Sequence, residues 1–205
     1  MLEICCEQKS DQWWAERLGK PSASNFDKIL SPTGKATTQR EGYLYELVAQ
    51  RLSGKAEKDG YKSKAMEEGT LREDESRSLY ELIYGVSVRQ VGMIFPDEWK
   101  MYLCSPDGII DGEQVDKPRG LEMKNVIQKT MVKYLLANQL PTDYVPQVQG
   151  SLLVTGFERW DFIAYCPGLK PLIIEVHRDE AYIKKLAEEL NQFSEELLQI
   201  VNKLK

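Results

Sequence analysis

The sequence predicts an α/β protein: a central mixed β-sheet of about five strands flanked by helices. Three observations carry this expectation. Apolar residues recur near every 3.6 positions up to about residue 85, then every second position from about 86 to 126. Beyond that, helical segments alternate with short β-branched and aromatic runs, as in a sheet layered with helices. The chain has 205 residues, 42% apolar and 29% charged, enough for a single domain over 1–205 with a sizeable core.

The elements follow in order. "SDQWWAERLGKPSASNFDKIL" reads as two short helices. Ser10 or Asp11 caps the first, Gly19 and Pro21 break it, and Ser22 caps the second. "SPTGKATTQREG" is a polar loop. In "REGYLYELVAQRLSG", Tyr43, Leu44, Leu47, Val48 and Leu52 keep helical spacing until Gly54. "KAEKDGYKSK" is a charged loop, and "AMEEGTLREDESRSLYELIYG" is a long helix ended by Gly85. "VSVRQVGMIF", "WKMYLCS" and "GLEMKNV" alternate as a strand meander. "QKTMVKYLLANQ" is helical, and "PTDYVPQVQGSLLVTG" is a second helix with Pro146 near its start and Gly156 after its end. "RWDFIAYC" and "PLIIEVHR" are strands. A C-terminal helix over about 179–204 lines up Tyr182, Leu186, Leu190, Phe193, Leu197 and Val201 on one stripe.

Composition excludes several functions. No run of 18 apolar residues spans a membrane, and the start has no apolar run of the signal-peptide kind, so the expected location is the cytoplasm. Cys5, Cys6, Cys104 and Cys166 form no CxxC pair and read as free thiols. The single histidine, His177, ends a strand and leaves no basis for a zinc site or histidine catalysis. The net charge is −5, without a global basic footprint. Residues 119–134 nevertheless carry four Lys/Arg against one acid, a local track able to meet DNA.

The chemistry sits in "CSPDG", residues 104–108, and "GLEMK", residues 120–124. Side chains two apart on a strand share a face, so Glu122 and Lys124 point the same way. With Asp107 on a neighbouring strand, two acids and a cation converge. Phosphodiester hydrolysis needs carboxylates to hold a metal and a cation or base to align the nucleophile. Hard oxygen ligands select Mg²⁺ or Mn²⁺. The same residues also read as a plain Pro-Asp-Gly turn and a solvated strand face.

"SPDG", "LEMK" and "PQVQGSLLVTG" together resemble the PD-(D/E)XK nuclease superfamily, with its restriction-endonuclease-like core. More narrowly, they resemble lambda exonuclease and the YqaJ-type viral recombinases. "WWAERLGKPSAS", "EEGTLREDESRSLYELIYGV" and a strand pair followed by a long helix agree, so the likeness covers about 11–195. The resemblance implies a 5′→3′ exonuclease that digests one strand of linear double-stranded DNA and leaves a 3′ tail for phage-type recombination. It implies two Mg²⁺ ions per site, held by Asp107, Glu122 and the Met123 carbonyl, with Lys124 orienting the attacking water. Glu73 is the additional acid. Gln147 matches the family's helical glutamine, with Gln149 as the fallback. Arg17, Ser24 and Ser105 match a 5′-phosphate pocket. Met66 stands at the family's apolar wedge. Thr33 stands where the family has a basic loop side chain, leaving Lys35 or Arg40 as substitutes. The resemblance also implies a ring-shaped homotrimer and a phage single-strand annealing protein as partner. Two other readings of the residues stand beside it: a restriction or repair endonuclease, and an inactive DNA-binding module.

Overall fold

The computed structural model describes residues 1–56, 72–113 and 115–205. Helix α1 (Asp11–Arg17) follows a short strand β1 (Leu2–Ile4). Ser10 caps α1, its hydroxyl accepting from the Trp13 N–H. The second expected helix is instead a 3-10 helix over Ala23–Lys28, and Ser22 gives it no side-chain cap. The Ser22 N–H donates to the Tyr43 hydroxyl at 3.3 Å, and its own hydroxyl turns toward Ser24. Helix α2 (Arg40–Ser53) ends at Gly54 in the left-handed conformation. Helix α3 (Glu73–Tyr84) ends the same way at Gly85, while the front of the expected long helix lies outside the described residues.

The sheet differs from expectation. Among the described residues, four strands form one mixed sheet, against about five expected: β3 (Gly108–Ile110), β4 (Arg119–Asn125), β5 (Arg159–Tyr165) and β6 (Leu172–His177). The β4–β5 pair is parallel and its two flanking pairs are antiparallel. The segment expected as the first meander strand gives only β2 (Met93–Phe95), paired with β1 in a separate two-stranded sheet. A lone bridge joins Arg89 to Ile109. "WKMYLCS" forms no strand. Trp99 is exposed, Lys100 adopts φ 53, and only Leu103 and Cys104 make bridges, to Ser22 and Ile94. A left-handed residue interrupts the extended backbone that a ladder needs.

Between β4 and β5 run helices α4 (Gln128–Ala137) and α5 (Val145–Thr155). The parallel pairing requires such a crossover. Nearly every residue of α5 from Val148 to Thr155 is buried, so it is a central helix rather than a surface one. The long helix α6 (Glu180–Leu204) is capped by the Asp179 side chain and buries the whole expected stripe from Tyr182 to Val201.

The period-2 alternation of the sheet separates two cores. Leu121, Met123 and Ile163 face α3 and pack with Tyr80, Val86 and Val88. Trp160, Phe162 and Ala164 face the other way, into the larger core shared with Phe26, α2, α5 and α6. On the α3 side, Arg119 pairs with Asp161 at 2.8 Å, and the Tyr80 hydroxyl donates to the same carboxylate. Arg119 Nε also donates to the Tyr80 hydroxyl at 3.2 Å, so the buried ion pair has a hydrogen-bonded third partner that helps to offset burial of its charges.

Close backbone approach at α5 depends on Gly150. A Cβ there would lie 2.3 Å from Cδ2 of Phe26, whose ring is fully buried. Gly150→Ala should therefore destabilise the fold by about 1–3 kcal/mol through overpacking. In a Phe26→Leu background the added cost of the alanine should shrink, because the two changes share one contact. Urea unfolding of the two single variants and the double variant measures this; equal alanine costs in both backgrounds would contradict the packing account.

Candidate active site

Strand β4 carries Glu122 and Lys124 on the face opposite Met123, as the two-residue spacing requires. Glu122 is 2% exposed yet charged, and it is compensated from two sides. Lys124 Nζ lies 2.5 Å from its Oε1, and Gln147 Nε2 donates to the same oxygen at 2.6 Å. The Lys124 ammonium also lies 5.2 Å from the centroid of the Tyr144 ring. Helix α5 thus supplies Gln147 from its first turn. Gln149 lies on a different face: it donates to the His177 carbonyl at 2.9 Å and accepts from the Asp179 N–H at 2.9 Å. It ties α5 to the start of α6 and takes no part in the cleft.

Asp107 lies against β4. Its N–H donates to the Leu121 carbonyl at 3.1 Å, and its Oδ2 accepts from the Met123 N–H at 2.6 Å. Burial pushes its carboxyl up to about 7, and the charge of Glu122 adds to the rise; Lys124 and the Met123 N–H only partly offset it. Burial alone would lower Lys124, but Glu122 and Asp107 outweigh it and hold the ammonium above its ordinary range. Burial is thus the main cost of charging Asp107, and the neighbouring Glu122 adds to it.

A cleft of about 170 Å³ joins this cluster to the N-terminal segment. Arg17, Ser24, Ser105, Asp107, Glu122, Lys124 and Gln147 all line it. Arg17 Nη1 donates to Ser105 Oγ at 2.8 Å, and its guanidinium stacks 4.3 Å from the Trp13 ring centroid. Burial lowers it to about 10, so it stays cationic at neutral pH. No carboxylate pairs with it among the described residues. The first backbone donor of the 3-10 helix is spent, since the Ala23 N–H bonds the Leu103 carbonyl at 2.9 Å.

Other expected residues lie elsewhere. Glu73 opens α3, meets Lys9 at 3.4 Å and does not line the cleft, although its charge contributes to the rise at Asp107. Lys35 is exposed in its loop and lines no part of the cleft. Arg40 pairs with Glu196 of α6 at 2.8 Å. Met66 lies outside the described residues. Gln8, Ser151 and Tyr144 were not singled out by sequence. Gln8 and Ser151 line the cleft, and Tyr144 flanks Lys124. His177 is a surface residue beside Glu175, and Cys104 and Cys166 are buried free thiols.

The donor set fits a hard divalent cation. Two carboxylates converge beside one ammonium, and no sulfur or imidazole is among the residues lining the cleft. No group of three or more His, Cys, Asp or Glu ligands gathers among the described residues. Magnesium suits so sparse a set, because it keeps several waters and takes one or two carboxylates plus phosphate oxygens.

The family model of the YqaJ-like viral recombinase domain matches residues 12–158. The chain is similar to an alkaline exonuclease (LHK-Exo) from Laribacter hongkongensis: TM-score 0.83 and 27% identity over 95% of this chain and 96% of that one. The complex of LHK-Exo with dAMP gives TM-score 0.83 and 28% identity over 96% of each chain. A phage-related exonuclease from Haemophilus somnus 129PT shares the fold, with TM-score 0.66 and 13% identity over 91% of this chain and 96% of that one. No curated protein matches the sequence.

The raised Asp107 carboxyl makes a stability prediction for the metal-free protein. Unfolded, the group titrates near its ordinary value of about 3.9; folded, it holds its proton to about 7. Between these values the native state binds more protons than the unfolded one, so this group's contribution to stability falls as pH rises. Asp107→Asn removes the penalty and keeps an acceptor for the Met123 N–H. In chelator, its Tm should exceed wild type at pH 8 by roughly 3 °C, the effect of about 1 kcal/mol in a chain of this size. The gap should close toward pH 4. An Asn variant no more stable than wild type at pH 8 would contradict the charge balance described.

Proposed function

The chain belongs to the YqaJ-like viral recombinase domain family, and from that premise we propose that it is a divalent-metal-dependent 5′→3′ exonuclease. Its substrate is linear double-stranded DNA, of which it digests one strand to leave a 3′ single-stranded tail for phage-type recombination. One observation carries the reading: a half-buried, carboxylate-free Arg17 lies in the same cleft as Asp107 and Glu122. A guanidinium without an acid partner suits a phosphate, which it grips with two parallel hydrogen bonds. An endonuclease of restriction or repair has no need of a pocket for a terminal phosphate. The Laribacter alkaline exonuclease, crystallised with the nucleotide dAMP, supports nucleotide chemistry in such a fold.

Asp107, Glu122 and the Met123 carbonyl hold Mg²⁺, or Mn²⁺ in its place. When bound, the metal polarises the phosphate and lowers the pKa of a water. Lys124 carries the positive charge that the developing phosphorane oxygens need, and the Tyr144 ring and Glu122 fix its direction. Gln147 presents a neutral amide that orients water without changing the site's charge. Arg17, Ser24 and Ser105 hold the terminal 5′-phosphate, which sets the scissile bond one nucleotide away. Glu73 acts on the site through its field at Asp107. The −5 net charge suits a homotrimeric ring in which local basic tracks face enclosed DNA. A phage single-strand annealing protein would receive the 3′ tail. The setting is the cytoplasm; no helix among the described residues is long and apolar enough to cross a membrane.

Initial rates on matched substrates test the reading. With Mg²⁺, the protein should release mononucleotides from linear duplex, fastest from 5′-phosphorylated ends, and none from closed circles. Arg17→Ala should slow phosphorylated ends about 10- to 150-fold, the loss of a charged hydrogen-bond partner, and affect 5′-hydroxyl ends far less. Cleavage of closed circles, or equal slowing of both ends, would overturn it.

A further inference from the structure

Gln8 makes two long-range hydrogen bonds from one amide. Its Nε2 donates to the Val91 carbonyl at 2.9 Å and to the Pro106 carbonyl at 2.8 Å. Both hydrogens of the carboxamide are thereby used. Pro106 immediately precedes Asp107, so the second bond fixes the peptide from which the carboxylate hangs.

Three consecutive residues are thus held by three different parts of the protein. Arg17 holds Ser105 through its hydroxyl. Gln8 holds Pro106 through its carbonyl. Strand β4 holds Asp107 through both its N–H and its carboxylate. Two of these ties come from the N-terminal segment, which is itself riveted to the chain before β2. Trp13 Nε1 donates to the Gly92 carbonyl at 2.9 Å. At Gly92 a Cβ would fall 2.5 Å from Cys6 Sγ and 2.7 Å from the Cys6 carbonyl, so the two backbones pack with no room for a side chain.

We infer that Gln8 is a positioning residue that locks the Pro106–Asp107 turn against the N-terminal segment, and so fixes the distance between the end-binding Arg17 and the metal-holding Asp107. The inference rests on the proposed exonuclease reading and adds to it how register is kept. Without the bridge, the terminal phosphate still binds, and the Pro106 peptide loses its own tie to the N-terminal segment, leaving the acid less firmly fixed relative to the phosphate.

Gln8→Glu is the sharpest probe, because it keeps the side chain's shape and points a carboxylate at two carbonyl oxygens. Gln8→Ala is the second variant. Each is compared with wild type on 5′-phosphorylated linear duplex, with kcat and KM separated, and each is titrated with Mn²⁺ without DNA by calorimetry. The expected result is a kcat lowered about 10- to 100-fold in both variants, from loss of the bond to Pro106 and of the bond to Val91 that anchors Gln8. KM should stay within about twofold, because Arg17 remains, and Mn²⁺ affinity should weaken about 10-fold or more. A merely structural glutamine would lower Tm and leave kcat and Mn²⁺ affinity of the folded fraction unchanged, and that result overturns the inference. So does a rise in KM at constant kcat. If wild type releases no nucleotide, the exonuclease reading fails instead; the Mn²⁺ arm still decides whether Gln8 supports Asp107.

Discussion

A carboxylate buried in a sheet must be compensated, and the arrangement around Glu122 follows from that requirement. Its 2% exposure places it where an unpaired charge is costly. Lys124 compensates from the same strand and Gln147 from the helix across it. For Lys124 to reach, β4 must stay extended for two more residues, which its parallel ladder with β5 secures through Asn125. For Gln147 to reach, α5 must lie close over that face, which its near-total burial and the contact of Gly150 with Phe26 secure. The crossover, the central helix and the absence of a side chain at Gly150 all serve to close space around one charged group. Asp107 then adds a second acid beside this group, and its carboxyl is raised first by burial and then by the charge of Glu122.

The N-terminal segment gives that pair of acids a use. It contributes only short elements, β1, α1 and the 3-10 helix, yet it brings Arg17 and Gln8 onto the Ser105–Asp107 stretch. These short elements are held by core packing, through Phe26 and Trp13, and by specific bonds: Trp13 to Gly92, Gln8 to Val91, Ala23 to Leu103. A phosphate pocket built on such a segment keeps its place relative to the acids through that packing and those bonds together.

Much of this was legible in the sequence, for reasons that differ by element. The α6 stripe and the stops at Gly54, Gly85 and Gly156 are local rules, and all three glycines adopt the left-handed conformation. That Glu122 and Lys124 share a face follows from the strand period alone. Spacing could not separate Gln147 from Gln149, because helix phase relative to the sheet is a tertiary property; Gln149 is committed to His177 and Asp179. Glu73 misses the cleft lining because α3 covers the opposite face of the sheet, where Tyr80 packs with Met123. "WKMYLCS" alternates like a strand but has no partner edge along most of its length, so it turns at Lys100. Gln8 was invisible because its partners lie 83 and 98 residues away, and no local pattern marks a side chain that bonds distant backbone.

On the reading proposed above, the converging acids Asp107 and Glu122 form a cation site. Anomalous diffraction from crystals soaked in Mn²⁺ tests it most directly. The account predicts a strong anomalous peak in contact with carboxylate oxygens of Asp107 and Glu122, lost in crystals of Asp107→Asn. An Mn²⁺-soaked crystal with no peak between these two side chains, or with the same peak in the Asn variant, would contradict it.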